Sequence, residues 1–250
     1  MKRFYHPEQL EVGQRAWLSQ ATSHHIQTVL RMRVGDELVL FNPTQGEWHG
    51  VIVESKKKAI AVLIGQNNLV NRESDLRLTL VQALCSHHKM DWIVQKATEL
   101  GVQAIWLFPA ERSTHRGHQS HKKLGHWQAV AASAVAQCGR HQFPEIRYFN
   151  TLSSLLSETD GPMDKWVCRI VTSPLSQPTY SQQRSSLVAV GPEGGWTEQE
   201  HLCFEEAGFQ PLALGMRTLR AETAAISALT VLQWVYGDLA QMNGWADPRA

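Results

Sequence analysis

The sequence predicts an α/β fold preceded by a small β-barrel. Three observations carry this expectation. Residues 1–72 hold short apolar runs with turn signals at roughly eight- to twelve-residue spacing, the pattern of a small all-β unit. From Leu76 onward strand-like runs alternate with helical patterns, which gives βαβ units and a parallel sheet. Two later runs, 166–171 and 187–190, are nearly all apolar, as strands are when both faces of a sheet are covered.

In chain order, residues 37–41 read as a strand running into the Asn42-Pro43 turn. Strands at 48–53 and 59–64 flank the Lys56-Lys57-Lys58 run. The polar stretch from Gln66 to Ser74 divides the chain, giving a barrel at 1–72 and an α/β domain at 73–250. Residues 76–84 are strand-like. Residues 89–100 are helical, with Ile93, Ala97 and Leu100 on one face and Gly101 as the stop. A strand at 104–108 ends at Pro109, and a helix covers 122–137. Thr197 starts a helix, and Glu200 three residues on completes a capping box. Residues 212–214 form the last strand. The helix at 222–236 is apolar nearly all round and is expected to be buried. There is no internal repeat or low-complexity segment.

Composition narrows the class. The chain has 250 residues, 43% of them hydrophobic, enough for a substantial core. No run reaches the ~18 apolar residues of a membrane span. The opening MKRFYHPEQL lacks the apolar stretch of a secretory leader. Cys85, Cys138, Cys168 and Cys203 are scattered without a C-x-x-C pair, so neither a zinc site nor a disulfide framework is expected, and a reducing cytoplasm is the natural setting. The net charge of +1 hides an asymmetry: residues 76–150 carry nine Lys/Arg against four Asp/Glu, and residues 151–250 carry six against eleven. The first part of the chain therefore suits a polyanion, although solvated surface charge gives the same count.

Two motifs concentrate the chemistry. Gly191-Pro192-Glu193-Gly194-Gly195 and the segment from Leu214 to Ala224 each follow a strand-like run and lead into a helix. Successive loops at parallel strand ends form a ligand crevice, and glycine lets the backbone approach a ligand closely. Read alone, the first loop is equally a tight turn, Glu193 a carboxylate at a helix start, and Arg217 and Arg220 members of surface ion pairs. His24-His25 and His87-His88 are adjacent pairs whose side chains diverge. His115, His118 and His121 lack a Cys or carboxylate to complete a zinc site, and no metal is expected. No Walker loop, G-x-G-x-x-G or G-x-S-x-G occurs, which excludes the corresponding kinase, dehydrogenase and hydrolase readings.

VGPEGGWTEQE followed by LGMRTLRAETAAISAL resembles the RsmE family, 16S ribosomal RNA uracil-N3 methyltransferases of the SPOUT superfamily. Arg3-Phe4-Tyr5, His24-His25, Gly35-Asp36, KMDWIVQKATELGV, Glu111-Arg112-Ser113 and Gln137-Cys138-Gly139-Arg140 fit the same family in the same order. The resemblance implies a PUA-like RNA-binding barrel, and a SPOUT parallel sheet with a C-terminal trefoil knot that holds S-adenosyl-L-methionine. It also implies a cytoplasmic homodimer acting on 16S rRNA or the small ribosomal subunit. It implies that Gly191, Pro192, Glu193, Gly194, Gly195, Leu214, Gly215, Leu219, Arg220 and Thr223 surround the cofactor, with Arg220 and Glu193 as the catalytic pair. Arg31, Arg33, Lys56, Lys57 and Lys58 in the barrel, and Arg112, Arg116, Lys122, Lys123 and Arg140 beyond it, are the candidate RNA contacts. The chain departs from the family at Met216 (usually proline), Ala221 (usually threonine), and Ser133 and Ala136 (usually glutamate). A SPOUT ribose 2′-O-methyltransferase and a non-catalytic RNA-binding assembly factor are the alternatives.

Overall fold

The computed structural model describes residues 1–114, 119–161, 163–170 and 184–239. The chain divides into two compact units, residues 1–73 with 135–143, and residues 74–134 with 144 onward. Residues 135–143 thus belong with the first unit, whereas the sequence division at 72/73 put them in the second.

The first unit is a five-stranded sheet in the order β1-β3-β4-β5-β2, formed by β1 (Lys2–Tyr5), β2 (Arg15–Trp17), β3 (Glu37–Asn42), β4 (Gly46–Lys56) and β5 (Ala59–Asn68). β1 pairs parallel with β3, and the remaining ladders are antiparallel. The three predicted strands are present, each extended by one to several residues. The short helix α1 (Gln20–His24) continues into a π-helical turn, His25–Val29. Ser19 caps α1 by accepting the Thr22 N–H, and the buried Ser23 hydroxyl accepts the Ile60 N–H. The core gathers Phe4, Leu10, Ile26, Leu38, Leu40, Ile52, Ile60, Val62 and Ile64.

The second unit is a six-stranded sheet in the order β11-β9-β10-β6-β7-β8, parallel throughout. Its strands are β6 (Arg77–Ala83), β7 (Ala104–Phe108), β8 (Glu145–Tyr148), β9 (Asp164–Cys168), β10 (Ser185–Val190) and β11 (Gln210–Leu212). Its helices are α2 (His87–Glu99), α3 (Gln119–Cys138), whose last residues lie in the first unit, α4 (Leu152–Leu156), α5 (Glu198–Glu206) and α6 (Ala221–Val235). β7 is buried along its whole length and β10 after its first residue, as doubly covered strands should be. One core cluster joins α2 and α6 to β6, β7 and β10; the other joins Phe108, Trp196, Phe204 and Phe209 to the opposite face.

The capping box at Thr197 and Glu200 forms as predicted, with both reciprocal bonds present. β9 and β11 each begin two residues before their predicted starts. β11 stops at Leu212, where its pairing with Cys168 ends, and Leu214 belongs to the following loop. α6 buries Ala221, Ala225, Ala228, Leu229 and Leu232 but leaves Val231 40% exposed, so it is buried on one side only.

Candidate active site

The strand order sets the position of the site. The chain runs outward from β6 through β7 to β8, then crosses to the other side of β6 for β9 and β10. β6 and β10 are neighbours at that reversal, and a crevice opens outside the carboxyl ends of strands at such a switch point. A cleft of ≈ 840 Å³ lies there, walled by the loops after β7, β9, β10 and β11 and by the first turn of α2. It brings together Gly191, Pro192, Glu193, Gly194, Gly195, Leu214, Gly215, Leu219 and Arg220. Thr223 is not among the lining residues; it is exposed on α6, and Ala224 takes the lining position one residue later.

The 191–197 loop is built around Trp196. Its indole stacks on Phe108 (6.0 Å between centroids, 11° between planes) and meets Phe204 edge-on. A side chain at 191 would press on this indole, since its Cβ would lie 3.2 Å from the ring. Gly194 answers a different demand: a Cβ there would stand 2.8 Å from the Arg112 Cβ and 3.2 Å from the Arg112 carbonyl oxygen. Gly195 has open space around its missing Cβ but a left-handed backbone (φ +69°), which costs a side-chain-bearing residue about 1–2 kcal/mol. The missing side chain at Gly194 thus makes room for Arg112. Arg112, read as a phosphate contact, donates to the carbonyls of Gly194 (3.3 Å) and Trp196 (3.2 Å) and helps wall the cleft.

The loop's carboxylate is held from below. Glu193 Oε1 accepts from the Lys89 ammonium at 3.0 Å and from the Ser86 N–H at 3.3 Å. Burial works against its charge, yet hydrogen bonds from its own amide, Lys89 and Ser86 outweigh that and hold it below the usual carboxylate range. Lys89 also stands 3.7 Å from Glu222 Oε2, and the hydrogen bond to Glu193 raises its pKa above the ordinary lysine value. Burial, reinforced by the Glu193 charge, pushes the Cys85 thiol up to about 12, and burial does the same for Cys168 on the cleft wall. Both thiols therefore stay protonated at neutral pH and are poor nucleophiles. His201, also on the wall, is lowered by burial and then by Arg169, so it stays neutral there.

The second loop carries Arg217 and Arg220, both exposed and lining the cleft. Arg220 is the N-cap residue of α6 in extended conformation, and its side chain makes no capping bond. Met216 is 84% exposed and is not among the residues lining this cleft. In all, Lys89, Arg112, Arg169, Arg217 and Arg220 line the cleft together with Glu193 and Glu198, an excess of positive charge. Lys89, Arg169 and Trp196 were missed as site residues by sequence reasoning. The position of Lys89 in the first turn after β6 was the available signal, but its value depends on β10 lying beside β6.

The remaining cations divide by burial. In the first unit Arg31, Arg33, Lys56 and Lys57 line one groove of ≈ 480 Å³ together with Gln27, and Lys58 is exposed in the adjoining turn. Arg31 is the one described non-glycine residue with a left-handed backbone (φ 54°), and it ends the helical turn there. Lys56 pairs with Glu54 at 2.7 Å and lies 5.0 Å over the ring of Trp17, which is exposed. Arg140 corrects the sequence reading: it is 3% exposed and ion-paired with Glu73 at 2.7 Å, so it is a buried structural cation and presents no surface to a phosphate. Lys123 is half-buried on α3. Arg116, His115, His118 and the side chains of His121 and Lys122 lie outside the described residues. Among the described residues no cluster suits a metal ion, and no helix is long and apolar enough to cross a membrane.

Residues 72–233 match the family model of an RNA methyltransferase domain, and residues 18–64 that of an RNA methyltransferase PUA domain. The ribosomal RNA small subunit methyltransferase E of Buchnera aphidicola (subsp. Schizaphis graminum) is 32% identical, covering 95% of this chain and 97% of its own length. The protein of that name from Bacillus subtilis is 30% identical, covering 84% and 86%. A ribosomal RNA small subunit methyltransferase E from Neisseria gonorrhoeae, solved with bound S-adenosyl methionine, superposes with a TM-score of 0.88 at 33% identity over 96% of this chain and 99% of its own. A Legionella pneumophila structure, in complex with the same cofactor, gives 0.88 at 37% identity over 95% and 98%. The glycine loops at the switch point, the parallel sheet that positions them and these matches together make the chain a member of the ribosomal RNA small subunit methyltransferase E family.

Proposed function

We propose that the chain methylates N3 of a uridine in small-subunit ribosomal RNA, with S-adenosyl-L-methionine as donor. The observation that carries this reading is the cation-rich cleft at the switch point, walled by two glycine-bearing strand-to-helix loops. Its volume, the open space at Gly195 and the main-chain surfaces of Gly191 to Gly195 and Leu214 to Leu219 fit a cofactor held largely by backbone groups. Bound there, S-adenosyl-L-methionine supplies an electrophilic methyl group. The chain's own task is to prepare the nitrogen. Uracil N3 is a protonated imide at neutral pH, and passing its proton to solvent in the open cleft leaves negative charge on O2 and O4. Arg220, exposed on the cleft wall, is the cation we assign to that charge, and a fixed cation there lowers the barrier as the charge develops. Glu193 stands ionised in the first of these loops and is the carboxylate assigned to the reacting end. Holding methyl and nitrogen in line supplies much of the remaining rate.

The groove of Arg31, Arg33, Lys56 and Lys57 is assigned to RNA phosphates. The return of α6 from the edge strand β11 to pack on β10 and β6 supports a knotted C-terminal segment. The exposed apolar residues Trp92 on α2 and Val231 on α6 support a homodimer, and four free cysteines support a reducing, cytoplasmic setting. Mass spectrometry of ribosomal RNA from cells with and without this protein tests the reading. Loss of 3-methyluridine from the small-subunit RNA is expected. Loss of a ribose 2′-O-methyl group would replace the base reading with the ribose one, and an unchanged methylation map would remove both.

A further inference from the structure

We propose that Lys89 is the positioning residue of the cleft, joining the carboxylates of Glu193 on one cofactor loop and Glu222 in the first turn of the helix that follows the other. The inference rests on the cofactor reading above. Three separate segments meet at this ammonium. Lys89 stands in the first turn of α2, Glu193 in the loop after β10, and Glu222 in the first turn of α6, next to Arg220. The distances are 3.0 Å to Glu193 Oε1 and 3.7 Å to Glu222 Oε2. All three side chains are largely withdrawn from water, at 18%, 26% and 16% exposure. Glu222 Oε2 is buried and accepts no hydrogen bond, so the nearby ammonium is its compensation.

Removing the ammonium leaves the two carboxylates to repel each other with no cation between them. The 191–197 loop and the start of α6 then lose their common anchor, and Arg220 sits at that start. The groups facing Glu193 are Lys89, the Ser86 N–H, its own amide and the buried Cys85 thiol, with Glu222 on the far side of Lys89. Lys89 is the only cation among these, so its loss lets the Glu193 carboxyl rise toward its ordinary range.

Calorimetric titration of S-adenosylmethionine into the full chain tests this without requiring turnover. Lys89→Met is expected to weaken binding by on the order of tenfold, and Lys89→Arg to recover most of it. Lys89→Met combined with Glu222→Gln is expected to bind no more weakly than Lys89→Met alone, because the two side chains act through one contact. In Lys89→Met the fall of binding on acidification should begin at higher pH than in the parent. Thermal melts of each variant check that the fold persists; should Lys89→Met not fold, Glu222→Gln and Lys89→Gln carry the same test. Parent-like binding by a folded Lys89→Met, or losses that add in the double variant, would overturn the proposal. A parent chain that binds no S-adenosylmethionine would instead remove the cofactor reading on which it rests.

Discussion

The two units dispose of charge in opposite ways. In residues 1–73 with 135–143, Glu47 meets Arg3 at 2.8 Å, Arg72 at 2.7 Å and His141 at 3.5 Å, while Glu73 meets Arg140 at 2.7 Å. These groups are mostly buried, and the two terminal nitrogens of Arg3 also donate to the carbonyls of Val135, Ala136, Gly139 and Arg140. In the second unit the cations of the cleft stand at strand ends and in loops. The sheets explain the difference. A parallel sheet collects every carboxyl end on one side, so loops and charge converge there. The mixed sheet of the first unit has no such side. Its surface cations are gathered by a local turn at Arg31, and its buried ones tie down residues 135–143.

The largest break in this contrast is expected from the buried pair. Arg140→Met leaves the Glu73 carboxylate without its cation, held only by the His141 and Gln142 amides, and should cost about 3 kcal/mol of stability in urea denaturation, with little change in cofactor affinity of the folded chain. A loss below about 1 kcal/mol would class the pair with ordinary surface pairs. Acid sharpens the same point. Burial lowers His6 and His141 from 6.5, so stability declines as pH falls below that value and the unfolded chain takes up protons. Glu47 and Glu73 lie below 4.5 despite burial, because of Arg3 and Arg140 respectively, so their contribution is lost as pH falls through their lowered values. Thermal melts from about pH 7 down to about pH 2 should therefore show a falling midpoint, and Glu73→Gln should flatten the acid end.

Next in size is Arg220→Ala, expected to lower turnover about a hundredfold with a much smaller change in cofactor affinity. Weak cofactor binding with normal turnover at saturation would make Arg220 a cofactor clamp. Gly195→Val forces a β-branched side chain into a left-handed backbone at a cost of about 1–2 kcal/mol of stability, and should weaken S-adenosylmethionine binding in a chain that still folds. Unchanged affinity in that folded variant would place the ligand away from this loop. The smallest effect is expected in the first unit's groove. Replacing Lys56, Lys57 and Lys58 by alanine should weaken RNA binding and flatten its salt dependence, each lost phosphate contact on single-stranded RNA reducing the slope by about 0.7. An identical slope in filter binding would assign RNA contact elsewhere.

Where local chemistry decides, the sequence was readable. The strand at 104–108, the Thr197–Glu200 cap and both glycine loops lie where the residues place them. What depends on tertiary neighbours was not. β1 and β2 are short, and their existence depends on the strands they pair with. Arg140 has the same side chain as Arg31, and only packing makes one a buried partner of Glu73 and the other part of an open groove. Lys89 looks like any helix-surface lysine until β10 and α6 bring two carboxylates to it. Thr223 shows the converse: a one-residue step along α6 turns it outward and Ala224 to the cleft.

A crystal structure of the chain soaked with S-adenosylmethionine tests the central claim most directly. Density for the cofactor is expected between residues 191–195 and 214–220, with its polar atoms on main-chain groups of both loops. Density at any other site, or an unchanged cleft at saturating cofactor, would contradict the assignment of this cleft as the methyl-donor site.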